Sequence, residues 1–359
     1  MIVKSLKLKN FRNYDLLHLE FDEAINIFYG DNAQGKTNIL ESIYLTGTTK
    51  SHRGTKDKDM IQFGEEEAHI ETIVEKKGVP FKIDIHLKKN SPKGIAINKI
   101  PIKKASELFG IINIVFFSPE DLNIIKNGPA ERRRFIDLEL SQLDKVYLSD
   151  LSNYNRIVNQ RNKLLKDIYD KNELLDTLDI WDIQLVNYGN RVIERRKKFI
   201  EQMNLIIGDV HEKLTGGKEH LKIFYEPAVK EESFEIALMK NRERDIRMKS
   251  TSVGPHRDDI CFMCGDLDIR KFGSQGQQRT AALSLKLSEI ELVRQEIKDT
   301  PILLLDDVLS ELDKHRQNYL LDSIRDVQTL ITCTGLDDFV NHRFSINKIL
   351  HVEQGHVVS

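Results

Sequence analysis

The 359-residue chain carries 54 lysines and arginines against 56 aspartates and glutamates, a net charge of −2, with 40% hydrophobic and 31% charged residues. This composition describes a folded chain with room for two or three domains, or for one large head carrying a lobe, and excludes a disordered or fibrous one. The near-neutral balance supplies no global field toward nucleic acid, so any such contact has to come from local basic patches. No apolar run approaches the roughly 18 residues of a membrane span. Met1 to Leu6 alternates like a strand and lacks the apolar core of a signal peptide. Three cysteines fit a reducing compartment, and the expected location is cytoplasmic, with no membrane partner.

Alternation predicts strands over 2–8, 17–21 and 24–29, then a helix over 37–45. Strands at 70–74 and 81–87 flank the hairpin-like turn Lys76-Lys77-Gly78. A buried strand over 111–117 runs into Ser118-Pro119-Glu120-Asp121, a helix start. From about 129 to 213 the pattern is helical: Leu140, Leu143, Tyr147, Leu151, Tyr154 and Val158 recur at three- and four-residue spacing. A break near Asp170-Lys171-Asn172 makes this an antiparallel pair, each arm about 30 residues or ~45 Å long, and Thr215-Gly216-Gly217 closes it. Residues 221–270 return to strand-like alternation around a charged helix from Glu232 to Lys249. Cys261 and Cys264 fall there in a C-x-x-C pattern; residues three apart on a strand point to opposite faces, so they are expected as small buried hydrophobes. A long helix follows Ser274, then a buried strand at 302–305, a helix, a strand at 329–332 and a short last strand. No internal repeat or low-complexity segment is present.

Gly30-Asp31-Asn32-Ala33-Gln34-Gly35-Lys36-Thr37 fits G-x-x-x-x-G-K-[ST] and sits between a predicted strand and a predicted helix. Its glycines let backbone N–H groups turn toward phosphate oxygens. Lys36 is expected on the β- and γ-phosphates of ATP, and the Thr37 hydroxyl on Mg²⁺. At the far end of the chain, Ile302-Leu303-Leu304-Leu305 ends in Asp306-Asp307. Asp306 is the second candidate magnesium residue, and Asp307 the group that orients the attacking water. A nucleotide site built from both chain ends makes the middle an insertion raised out of an ATPase head. The fold expected is α/β, with a mostly helical inserted lobe and no long coiled coil. Residues 1–118 and 251–359 would form the head, and 119–250 the lobe.

Ser274-Gln275-Gly276-Gln277-Gln278-Arg279 ahead of the aspartates, and Ser310-Glu311-Leu312-Asp313 after them, resemble the signature turn and D-loop of SMC-type ABC ATPase heads. More narrowly, five segments are similar to the RecF family of bacterial recombination mediators, in that family's order. They are Asn10-Phe11-Arg12-Asn13-Tyr14, Phe117-Ser118-Pro119-Glu120-Asp121, Gly128-Pro129 with Arg132-Arg133-Arg134, Gly254-Pro255-His256-Arg257-Asp258-Asp259, and the serine-glutamine turn itself. The resemblance implies that Arg12 and Asn13 lie at the nucleotide. It also implies an ATP-dependent homodimer in which Ser274, Gln275 and Gly276 contact the γ-phosphate held by the other copy's Lys36. A serine opening a helix suits that role, since free N–H groups and the positive dipole end face an anion there. Departures from the wider ABC pattern matter too. Asp307 stands where a longer glutamate is usual, which implies slow hydrolysis suited to a switch. Thr332-Cys333-Thr334 occupies the place of a switch histidine, the double glycine of the usual signature is absent, and no Q-loop glutamine is identified; Glu120 and Asp121 follow the relevant strand without an assigned role.

The same resemblance implies sequence-independent binding of duplex DNA near single-strand gap junctions, and action with RecR and RecO to help load RecA in replication and repair. Candidate phosphate contacts are Arg53 and Lys56 in the loop after the first helix, Arg132 and Arg133 at the lobe's start, and Arg191, Arg195 and Lys198 on one helical face. His256 and Arg257 are expected to brace the head–lobe junction. Three other functions fit less well. A transporter-type ABC subunit keeps its two nucleotide motifs much closer. A structural SMC-like chromosome protein needs very long heptad arms. An ATP-dependent nuclease needs an acidic metal domain that this sequence lacks.

Overall fold

The structure, a computed structural model, describes residues 1–170, 172–230, 233–336 and 347–358. The chain forms two compact units, Met1–Asp121 with Leu285–Ser359, and Leu122–Ser284. The first unit therefore does take both chain ends, as the split motifs require.

Two six-stranded sheets build the first unit. One is antiparallel and runs in the spatial order Tyr14–Glu20, Ile2–Phe11, Glu67–Lys76, Val79–Lys88, Ser91–Ile97, Ile100–Pro101. Its strands alternate as half-buried strands should: Ala68, Ile70, Thr72 and Val74 face inward along Glu67–Lys76. The other sheet runs His356–Val358, Lys348–Glu353, Ile25–Tyr29, Thr329–Cys333, Ile302–Asp306, Ile114–Phe117, parallel except for the hairpin at its edge. Strands covered on both faces read as unbroken apolar runs, and Ile302 to Leu305 are fully buried. Gln328 ties the two sheets together: its side-chain amide donates to the Val3 carbonyl (2.8 Å) and accepts from the Val3 N–H (2.6 Å). The helix Lys36–Thr48 lies against the parallel sheet, with Ile39, Leu40, Ile43 and Leu45 fully buried.

In the second unit the helices Pro129–Leu143, Lys145–Asp170 and Leu178–Thr215 pack together. The expected pair of arms is present but unequal, at 26 and 38 residues. Lys171, in the expected break, and Glu232, the expected start of the charged helix, lie outside the described residues. The rest of that charged segment forms two short helices, Phe234–Lys240 and Arg242–Met248. A three-stranded antiparallel sheet completes the unit, with Asp259–Cys264 central between Leu221–Glu226 and Leu267–Asp268. This pairing corrects the expected division: the segment 251–284 was assigned to the head, but its strand is laddered onto the lobe strand Leu221–Glu226 along its full length.

The Gly254-to-Asp259 motif is the polar centre of this second unit. Arg196 is fully buried and donates to Asp137, to the Pro255 carbonyl and to Asp258. Asp258 also accepts from the Tyr225 hydroxyl and the Ala228 N–H. His256 donates from Nε2 to the Thr251 carbonyl (3.0 Å), so its Nδ1 accepts from the Tyr154 hydroxyl (2.7 Å). Arg257 donates to the same Thr251 carbonyl. His256 and Arg257 thus brace the lobe internally, where the sequence suggested a head–lobe brace. Burial pushes His256 down to about 4, with the Thr251 hydrogen bond opposing. An unfolded histidine titrates near 6.5, so the unfolded chain takes up this proton first, and stability is lost as pH falls from about 6.5 toward 4. The expected loss from this residue is about 3 kcal/mol over that window. Amide exchange across Lys145–Asp170 between pH 7 and 4.5 checks it: His256→Gln should flatten the slope, and an unchanged slope would remove His256 as its source.

Candidate nucleotide site

The parallel register fixes the site. Asp306 pairs with Thr332 and Tyr29 with Cys333, so the carboxyl ends of Ile302–Asp306, Thr329–Cys333 and Ile25–Tyr29 lie together. Ligands of open α/β sheets bind at such strand ends. The loop 30–37 leaves Tyr29 and enters the helix at Lys36. Gly35 has φ 115°, and a Cβ there would lie 2.5 Å from Asn13 Nδ2; at Gly30, φ 147°, it would lie 2.3 Å from the Val352 carbonyl oxygen. Only glycine fits either place. Between them, Asp31, Asn32 and Ala33 are exposed, and Ala33 takes φ 64°.

The Lys36 ammonium donates back to the carbonyls of Gly30 (2.5 Å) and Asp31 (2.8 Å), holding the loop in its turn. Gln34 is braced from three sides: its carbonyl accepts from Asn13 Nδ2 (3.0 Å) and the Gly355 N–H (3.2 Å), and its side chain accepts from the Gln354 N–H (2.6 Å). The Tyr14 hydroxyl donates to the Gly35 carbonyl. Asn13, expected at the nucleotide, therefore sits directly beneath the phosphate loop. Arg12 is engaged by its own chain. Its guanidinium donates twice to Glu41 (2.7 and 2.8 Å), to Thr55 Oγ1 and to the Asp59 carbonyl. Glu41 is fully buried; burial would push its carboxyl up, but hydrogen bonds from Arg12 and Ser51 overcome that and hold it below its usual range.

At the expected magnesium position Thr37 Oγ1 donates to Asp306 Oδ1 at 2.8 Å, and Thr332 Oγ1 donates to the same oxygen at 2.7 Å. Thr332 Oγ1 in turn accepts from the Asp307 N–H (3.0 Å), fixing Asp307 at φ 56°. Burial pushes the Asp306 carboxyl up, while the two threonine hydroxyls and the nearby Arg53 guanidinium draw it down. A hydroxyl and a carboxylate converging at one point are hard oxygen donors of the kind Mg²⁺ takes. The residues fit that ion, which when bound neutralises phosphate charge. From sequence, Thr332 enters only within the segment 332–334, expected in the place of a switch histidine; the strand register sets it beside Asp306. Asp121 has a local role, accepting from the Ser118 N–H at 2.7 Å to cap the turn after Ile114–Phe117.

Ser274, Gln275 and Gly276 belong to the second unit and are exposed. Ser274 and Gln277 form a reciprocal capping box, Ser274 N–H to Gln277 Oε1 (2.9 Å) and Gln277 N–H to Ser274 Oγ (3.2 Å). The basic candidates separate by burial. Arg132 is corrected: its side chain is 5% exposed, and its guanidinium is spent on Asp259 and on the carbonyls of Ile124, Ile125 and Asn127. No DNA phosphate can compete for a buried guanidinium whose donors are already placed. Arg133 donates to the Asp258 carbonyl (2.6 Å) and is half-buried. Arg191 pairs with Asp150 (3.3 Å) over the Tyr188 ring, and Arg195 with Asp144. Arg53, Lys56 and Lys198 are exposed.

Sheet, phosphate loop and aspartate strand define a mixed α/β P-loop ATPase head of the SMC type. The model of the RecF/RecN/SMC N-terminal domain matches residues 2–357. The DNA replication and repair protein RecF of Agathobacter rectalis is 64% identical over 357 residues, 99% of each chain. That of Lachnospira eligens is 64% identical over 361 residues, 100% of this chain and 99% of the relative. A solved structure described as the recombination mediator protein RecF with ATP in the RecFOR pathway superposes with a TM-score of 0.93 at 37% identity, covering 99% of this chain and 97% of the other. An SMC head from Pyrococcus furiosus, at 16% identity and a TM-score of 0.58, shares the fold. The chain belongs to the RecF family of DNA replication and repair proteins.

Thr332→Val removes one donor from Asp306 and one of the two acceptors of the Asp307 N–H, leaving the Thr332 carbonyl, while keeping the buried volume. The expected result is roughly a tenfold loss of magnesium-dependent ATP binding, about the value of one hydrogen bond to a charged group, measured by calorimetric titration. Binding equal to that of the unaltered protein would remove Thr332 from the site.

Proposed function

We propose that ATP with Mg²⁺ closes two copies of this chain into a homodimer that grips duplex DNA beside single-strand gaps. Slow hydrolysis then releases the grip. The observation that carries this reading is the signature turn. Ser274 precedes a 23-residue helix that Gln275 and Gly276 open, all three residues are exposed, and the serine is positioned by its own capping box. A helix start of that kind is a ready anion site, and the γ-phosphate on another copy's Lys36 is the anion that the family resemblance supplies. Gly30 to Thr37 would cradle the phosphates of that copy's ATP, with Asn13 and Arg12 supporting the loop. Thr37 and Asp306 would hold the Mg²⁺.

Asp307 is the group proposed to orient the attacking water. Its side chain is one methylene shorter than a glutamate and its backbone is pinned to Thr332, which supports a weak ATPase used as a switch. Arg53, Lys56, Arg191, Arg195 and Lys198 are the proposed phosphate contacts, with Arg133 secondary. Such contacts give affinity without sequence readout and weaken steeply with salt. The partners proposed are RecR together with RecO, in helping RecA onto gapped DNA, in the cytoplasm. Among the described residues no helix is long and apolar enough to cross a membrane.

Duplex affinity measured with ATP, with ADP and without nucleotide, across a salt series, tests the reading. ATP is expected to raise affinity at least tenfold, Lys36→Met to abolish that gain, and Asp307→Asn to prolong it. Equal binding in all nucleotide states would refute the switch.

A further inference from the structure

Three side chains from separate parts of the second unit converge where the nucleotide chemistry has no use for them. His211 lies on the helix Leu178–Thr215 and is fully buried. Glu219 follows the end of that helix, and Cys264 ends the strand Asp259–Cys264. His211 Nε2 stands 3.4 Å from Glu219 Oε2 and 3.8 Å from Cys264 Sγ, and one ligand atom from each residue lies within 4.8 Å of the others. Cys261, three residues earlier on the strand, takes no part, consistent with its opposite facing.

We propose that His211, Glu219 and Cys264 bind one divalent cation of the zinc class. A tetrahedral ion about 2.0–2.1 Å from nitrogen and oxygen and about 2.3 Å from sulfur separates nitrogen from oxygen by about 3.4 Å and nitrogen from sulfur by about 3.6 Å. The observed spacings from Nε2 are close to both edges. The imidazole is also turned the right way. Ser284 Oγ donates to the Thr280 carbonyl (2.8 Å), so the 2.8 Å contact between Ser284 and His211 places the ring proton on Nδ1. That leaves the Nε2 lone pair aimed at Glu219 and Cys264, the arrangement in which a hydrogen bond to the far nitrogen orients a ligating histidine. Three protein ligands leave the fourth position to water, which can reach the site past the Glu219 side chain, 29% exposed.

The site would act on the signature turn. Glu219 Oε1 accepts from Gln277 Nε2 (2.9 Å), and Gln277 Oε1 accepts from the Ser274 N–H (2.9 Å). A cation on the other carboxylate oxygen fixes Glu219, and through it the glutamine that caps Ser274.

Cobalt(II), a spectroscopic stand-in for zinc, tests this on the full chain after chelator treatment. The expected result is one equivalent bound with a thiolate-to-cobalt charge-transfer band and tetrahedral d–d bands, displaced by zinc. Cys264→Ser should lose the charge-transfer band and weaken binding at least tenfold, Glu219→Gln should weaken binding with the band retained, and Cys261→Ser and Cys333→Ser should change neither. Exchange of the Ser274 amide should slow on metal addition and not in Cys264→Ser. Absence of any cobalt band from the chelator-treated chain, or a band that survives Cys264→Ser, overturns the proposal.

Discussion

Thr37 and Asp306 stand 269 residues apart in sequence and 2.8 Å apart in space. That short contact is the constraint on which the rest of the molecule depends. It exists because Ile25–Tyr29 and Ile302–Asp306 flank Thr329–Cys333 in one parallel sheet, so that the phosphate loop and the aspartate leave the same edge of the sheet with one strand between them. Parallel strands need crossover connections, and here the connections hold most of the chain. The chain ends make the ATPase head, and what lies between them is free to form something else. The Gln328 clasp on Val3 extends the same logic to the antiparallel sheet, locking the first strand to the last third of the chain.

The second unit follows a different principle. Its centre is polar: buried Arg196 and Arg161 each meet more than one carboxylate, Asp137 with Asp258 and Asp182 with Asp245. Buried guanidiniums are costly unless paired; Arg196 joins its helix to the segment before the small sheet, and Arg161 joins the two long helices to the helix Arg242–Met248, with its Nη2 left without a partner among the described residues. The Gly254-to-Asp259 motif belongs to this framework. Its histidine, its two aspartates and the arginines they hold all make their hydrogen bonds within the second unit.

Much of the head was legible in the sequence because its signals are local. The spacing of Gly30, Gly35, Lys36 and Thr37, and the apolar run ending at Asp306, each stand for a shape that neighbouring residues enforce. Ser274 was legible as the residue opening a long helix, and its capping box with Gln277 emerges in the structure. What escaped was set by tertiary pairing. Thr332 has no link to Asp306 in the sequence until the register places the two side by side. Arg132 reads as an exposed phosphate contact, since a run of arginines on a helix gives no sign of which one turns inward. The boundary at 251 failed because strand alternation does not say which sheet a strand will join. Cys264 likewise gains significance only through His211, 53 residues earlier.

The proposed dimer has a specific requirement: each nucleotide would take Lys36 from one copy and Ser274 from another. Mixing two inactive variants tests it most directly. Lys36→Met lacks the phosphate lysine, and Ser274→Arg blocks the signature turn, so each alone should fail to turn over ATP. In the mixed dimer one of the two sites pairs an intact Lys36 with an intact Ser274. ATP turnover measured on the equimolar mixture should therefore recover a substantial fraction of the unaltered rate. Turnover no greater than the sum of the two variants measured separately would contradict a site shared between two molecules.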